Sequence, residues 1–143
     1  MTLVIALLVS ACGGPETGSA VPGPSAPSGA LEELETARQR WAAASLDSYH
    51  YVFHNDCGEC DPSERRPREV VVRDAEPSGP GQHTVEALFD RVEQAMVDGR
   101  SVEVSYHPDL GYPTNLAIDM EDRAFDGGTH WMASDLAPGL PGE

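Results

Sequence analysis

Between Thr84 and Asp98 the apolar residues Val85, Leu88, Phe89, Val92 and Met96 recur at i, i+3, i+4, i+7 and i+11, the stripe of an amphipathic helix. Thr84 stands where a hydroxyl can cap the first turn, and Gly99 follows as a terminator. A second stripe, Leu31, Leu34, Ala37, Trp41 and Ala44, sets Glu32, Glu33, Glu35, Arg38 and Arg40 on other faces and predicts a helix over 31–45 capped by Ser28. Elsewhere the period changes to two. Tyr49, Tyr51 and Phe53 alternate with His50, Val52 and His54, and Arg68 to Arg73 is dense in β-branched residues, so the two stretches read as an antiparallel hairpin with a long connection. Asp74 to His83 reads as a loop rich in Gly and Pro, while Val102 to Tyr106, Asn115 to Met120 and His130 to Ser134 add three more strands.

The resulting order, α-β-β-α-β-β-β, suits an α+β domain built as a single antiparallel sheet of about five strands with two helices packed on one face. Its expected core is Tyr49, Tyr51, Phe53, Val70, Val72, Leu88, Phe89, Val92, Val104, Leu116 and Ile118. A one-residue slip in the second strand would exchange Val71 for Val70 and Val72.

The N-terminus follows a different pattern. Leu3 to Val9 is an unbroken apolar run, too short to span a bilayer, and it leads into Leu8-Val9-Ser10-Ala11-Cys12. Small residues before a cysteine form a lipoprotein-type cleavage site, so residues 1–11 are expected to be a signal peptide and Cys12 to carry diacylglycerol and a fatty acyl chain such as palmitate. No Arg or Lys precedes the run, the one departure from such a signal. Gly13 to Ala30 holds five Gly and four Pro and cannot bury enough apolar surface to order itself, so residues 12–30 read as a tether. The folded domain is expected over 31–137, with 138–143 as a flexible tail.

Charge narrows the partners. Twenty-four Asp and Glu face nine Arg and no Lys, a net charge of −15. Such a field repels phosphate backbones, which argues against nucleic acid and favours a cationic protein partner. The chain is expected to be a monomer, held to the extracytoplasmic face of the cell membrane through Cys12.

With Cys12 lipidated, Cys57 and Cys60 remain as a pair, and an exported protein would hold them as a disulfide across the hairpin connection. Two rival uses exist. A thioredoxin-type site needs its first thiol at a helix N-terminus, and the residues after Cys60, Asp61-Pro62-Ser63-Glu64-Arg65-Arg66-Pro67, do not sustain a helix. A zinc site needs four ligands, for which His50, His54, His107 and His130 are the available additions. Asp119, Glu121, Asp122 and Asp126 gather carboxylates at one turn without the spacing of a calcium loop. No nucleophile elbow or phosphate-cradling Gly loop occurs, so no catalytic residues, no cofactor and no enzyme activity are expected. Tyr112 and Trp131 are the candidates for exposed aromatic anchors on a binding surface.

One combination is more specific than its parts: Leu46-Asp47-Ser48-Tyr49-His50-Tyr51, then Cys57-Gly58-Glu59-Cys60, then Thr84 to Phe89, then Tyr106-His107-Pro108-Asp109-Leu110-Gly111-Tyr112-Pro113-Thr114. It resembles a bacterial family of secreted and lipid-anchored small proteins catalogued as a domain of unknown function, over about residues 31–136. The resemblance implies an exported α+β domain with no assigned activity, with His107 standing where members more often carry an acid. The expectation is therefore a lipid-anchored extracytoplasmic domain that binds a partner or serves the envelope without catalysis. The alternative is a small redox or metal-binding protein working through Cys57 and Cys60.

Overall fold

The two apolar stripes fold as helices. The structure is a computed structural model that describes residues 28–57, 60–79, 82–119 and 128–142. Helix α1 spans Ser28–Ala44 and buries Leu34, Ala37 and Trp41. It begins before the expected Leu31, so Ser28 lies inside it rather than capping it, and Gly29 and Ala30 are helical rather than part of a tether. A first turn tolerates these small residues because its amides lack intrahelical partners in any case.

Strands β1 (Tyr49–Asn55) and β2 (Arg68–Arg73) form the expected antiparallel hairpin, paired from Tyr49↔Val72 to Phe53↔Arg68. That register puts Val70 and Val72 on the face of Tyr49, Tyr51 and Phe53, and all five are buried; Val71 lies on the other face. Strand β3 (Glu76–Pro77) corrects the expected loop, since Arg73 pairs with Glu76 across a two-residue turn. The turn residues Asp74 and Ala75 both have positive φ, 50° and 63°. A hairpin turn of that kind normally announces itself with Asn or Gly. Here it is held from outside, by Ala75 N donating to the Asp47 carbonyl (2.7 Å) and Asp74 N to Ser48 Oγ (3.1 Å).

Helix α2 (Val85–Val97) is capped by Thr84, whose Oγ1 accepts from Ala87 N at 3.1 Å, and ends at Gly99 with φ 69°. Strands β4 (Val102–Tyr106), β5 (Pro113–Ile118) and β6 (Thr129–Pro138) complete one antiparallel sheet of six strands, not five, in the order β3-β2-β1-β6-β5-β4. The last strand is longer than the expected 130–134 and lies at the centre of the sheet, between β1 and β5. Its end also corrects the expected tail: Pro138 pairs with Tyr49, and Gly139 N donates to the Ser48 carbonyl at 2.9 Å.

Leu34, Ala37 and Trp41 of α1 and Leu88, Phe89 and Val92 of α2 share one core with Tyr51, Val70, Leu116, Ile118 and Ala133 of the sheet. Both helices therefore cover one face, and the fold is α+β. Val104, expected in the core, is half-buried because β4 is an edge strand. Arg38 ties the helices together, its Nη2 lying 3.0 Å from Asp90 and 2.8 Å from Glu93, with the guanidinium carbon 5.8 Å from the centre of the Phe89 ring.

Candidate functional site

The connection between β1 and β2 carries the Cys57–Cys60 disulfide, with Cα atoms 5.6 Å apart. A bridge over so short a loop removes less unfolded-state entropy than the ~3 kcal/mol of a 15-residue loop. The hairpin rests instead on its register and on buried Tyr51 and Phe53. After Cys60 the chain makes a tight turn rather than a helix: Asp61 Oδ1 accepts from Ser63 N (2.8 Å) and Ser63 Oγ (2.6 Å), and Glu64 N donates to the Asp61 carbonyl (2.9 Å). The Ser63 hydroxyl and amide hold the exposed Asp61 carboxyl below its ordinary value. The turn brings the Glu64 carboxylate to the two sulfurs, so that the donor atoms of Cys57, Cys60 and Glu64 lie within 4.8 Å of one another.

The histidines considered as zinc ligands are engaged elsewhere or are not part of this cluster. His50 Nδ1 lies 3.2 Å from the Gly139 carbonyl oxygen, and His130 Nε2 lies 2.7 Å from Asn115 Oδ1 with Nδ1 3.8 Å from Asp56. His107 Nδ1 accepts from Asp109 N and Leu110 N at 3.3 and 3.2 Å, which places the ring proton on Nε2. His54 is half-buried on the sheet face away from the helices. Glu64, which the sequence reading passed over, is the side chain the fold delivers to the cysteines. Its only signal was its place four residues after Cys60, across a Pro-Ser turn.

A second concentration of reactive residue types lies where α2 meets β1. Trp41 Nε1 donates to Glu86 Oε1 at 2.7 Å, Tyr49 Oη donates to Glu86 Oε2 at 3.4 Å and accepts from Val85 N at 2.8 Å, and Tyr51 Oη donates to the His83 carbonyl. Burial pushes both tyrosines well above their ordinary values. These bonds satisfy amides and carbonyls at the start of α2, so the cluster anchors a helix. Above it, α1 and α2 enclose a groove of about 370 Å³ with Trp41, Leu46 and Phe89 among its walls and Asp47, Glu86, Asp90 and Arg38 around it. A larger cleft of about 550 Å³ between α1 and β4 is lined by Glu32, Glu33, Arg40 and Tyr106, whose phenol is raised to about 12 by burial and by the Glu33 charge.

The two aromatic anchors expected on a surface are not brought together. Tyr112 is 4 % exposed, packed edge-on to Trp41 at 6.5 Å and stacked on His107 at 5.0 Å. It is turned inward because Gly111, at φ 80°, lies so close to α1 that a Cβ there would run into the Ala37 carbonyl. Trp131 is half-buried further along β6, stacked on His83 at 4.9 Å and edge-on to Phe53 at 5.5 Å. Burial, then the charge of Arg68, holds His83 below its ordinary value. Asp119, the described member of the acidic turn, receives Arg100 Nε at 2.7 Å and Ser101 N at 3.0 Å; Glu121, Asp122 and Asp126 lie outside the described residues, as does Cys12.

Two helices on one face of a six-stranded antiparallel sheet, with a disulfide in the first hairpin connection, define a small α+β domain. The chain belongs to DUF6174, a family of unknown function, whose model matches residues 33–138. No curated protein and no solved structure matches it. Among the described residues, no helix is long and apolar enough to cross a membrane.

Proposed function

We propose that this chain is a non-catalytic, membrane-anchored extracytoplasmic domain whose groove between α1 and α2 receives a basic segment of a partner protein. The observation that carries the reading lies at one end of the groove: the Arg38 guanidinium lies over Phe89 and pairs with Asp90, which line the groove, and with Glu93 beyond it. A guanidinium is thus already accommodated on an aromatic wall by paired acids. Asp47 and Glu86 add two further carboxylates to the groove, beside the edge of Trp41. Arg or Lys side chains of a partner suit this surface by charge and by cation–π contact, and the net charge of −15 steers such a partner inward.

The address rests on the apolar run before Cys12 and the Gly- and Pro-rich stretch after it, and the Cys57–Cys60 disulfide suits an oxidising compartment. Two experiments test the parts separately. Membrane fractionation should retain the wild type and release Cys12→Ala; equal release of both removes the anchor. An oligo-arginine peptide titrated into Trp131→Phe protein, with Trp41 fluorescence as the readout, should bind at 0.01 M salt. Binding should weaken by 0.1 M as the Debye length falls from ~30 to ~10 Å. It should also weaken in Asp47→Asn combined with Asp90→Asn, and affinity indifferent to both changes overturns the groove.

A further inference from the structure

Independently of the groove, we infer that Cys57, Cys60 and Glu64 form a redox-gated site for one thiophilic divalent cation, Zn²⁺ being the physiological choice. The bridge closes the site, and a dithiol reductant opens it. The donors of all three residues already lie within 4.8 Å of one another. A tetrahedral zinc ion takes thiolate sulfur at about 2.3 Å and carboxylate oxygen at about 2.0–2.2 Å, and Cys-x-x-Cys is a spacing that zinc sites use. Three protein donors leave a fourth position for water, the arrangement of an open site rather than a closed structural one.

Two further features point the same way. The Glu64 carboxylate makes no hydrogen bond or ion pair among the described residues, so ligation breaks nothing it now does. Reduction should leave the scaffold standing, since the ladder and the buried Tyr51 and Phe53 also hold the hairpin.

The chemistry balances in two steps. The reductant's two thiols transfer two electrons and two protons to the protein, opening the S–S bond to two thiols as the reductant closes its own disulfide. The cation then displaces both thiol protons to solvent and forms two metal–sulfur bonds and one bond to Glu64 oxygen. While the bridge is closed neither sulfur is available as a thiolate, so the oxidation state decides whether metal is held.

The test uses the full chain, oxidised or reduced with a phosphine that is then removed, and titrated anaerobically with Cd²⁺ while thiolate-to-metal charge transfer is followed in the ultraviolet. The expected result is one ion per reduced chain, none per oxidised chain, and no uptake at this site in Cys57→Ser with Cys60→Ser. Glu64→Gln should weaken binding roughly tenfold or more, since even indirect supports of a metal site cost that much. Far-UV circular dichroism should be the same before and after reduction. Absence of stoichiometric uptake, equal uptake by the oxidised chain, unchanged affinity in Glu64→Gln, or unfolding on reduction overturns the inference.

Discussion

The junction of α2 with β1 and the connection between β1 and β2 both gather residue types that do chemistry, and the fold treats them in opposite ways. At the junction Tyr49, Trp41 and Glu86 are bound to one another or to the first turn of α2, and Tyr51 to the His83 carbonyl just before its cap, with the tyrosines fully buried. Removing Glu86, itself at the surface, takes the carboxylate from the buried rings of Trp41 and Tyr49. In the connection Cys57, Cys60 and Glu64 sit at or near the surface and hold little besides each other. Reactive groups in proximity become available for function only where the fold can spare them, and by that measure the connection is the freer region.

The comparison predicts a gradient of effects. Tyr51→Ala should cost about 3–5 kcal/mol, the range for emptying a buried aromatic site, measured by urea denaturation. A loss below ~1 kcal/mol, the size of a surface change, would show that the junction is not the anchor described. Glu86→Ala leaves Trp41 Nε1 and Tyr49 Oη without their carboxylate and should cost about 1.5–3 kcal/mol, with Glu86→Gln recovering part of it. Cys57→Ser with Cys60→Ser should cost about 2 kcal/mol at most and leave the circular dichroism spectrum unchanged; collapse of the fold would move the connection into the structural class.

The smallest effect is a pH dependence at His83. Its folded pKa lies below the ordinary value of 6.5, so near that pH the unfolded chain binds more protons than the native one. Stability should therefore fall as pH is lowered through 6.5 toward the depressed folded value, and be fully present above it. Thermal melts of wild type and His83→Phe between pH 7.5 and 5 check this: the substituted protein, which keeps an aromatic ring on Trp131, should lose less stability over that interval.

The two helices and the β1–β2 hairpin were legible from the chain because their signals are local. A stripe repeats every turn at Val85, Leu88, Phe89, Val92 and Met96, and alternation runs through Tyr49, Tyr51 and Phe53. The pairing of Cys57 with Cys60 was legible by elimination, once Cys12 was set aside for the lipid. What escaped depended on contacts between residues far apart. β3 was missed because Ala75 in a left-handed conformation has no signature of its own and is held by the Asp47 carbonyl. Glu64 was missed because its distance to the sulfurs follows from the path of a turn, not from a motif.

By itself, then, the order of residues determined the helical stripes, the buried face of β1, the cysteine pair and the acidic character of the chain, since each depends on neighbours a few positions away or on a simple count. Only the tertiary structure decided that β6 enters the centre of the sheet against β1, that Tyr112 turns inward beneath Trp41, and that the Tyr49 and Glu86 groups hold a helix. Those outcomes rest on pairings between segments tens of residues apart. Such pairings form because together they bury the one shared apolar face, a condition that no single segment carries.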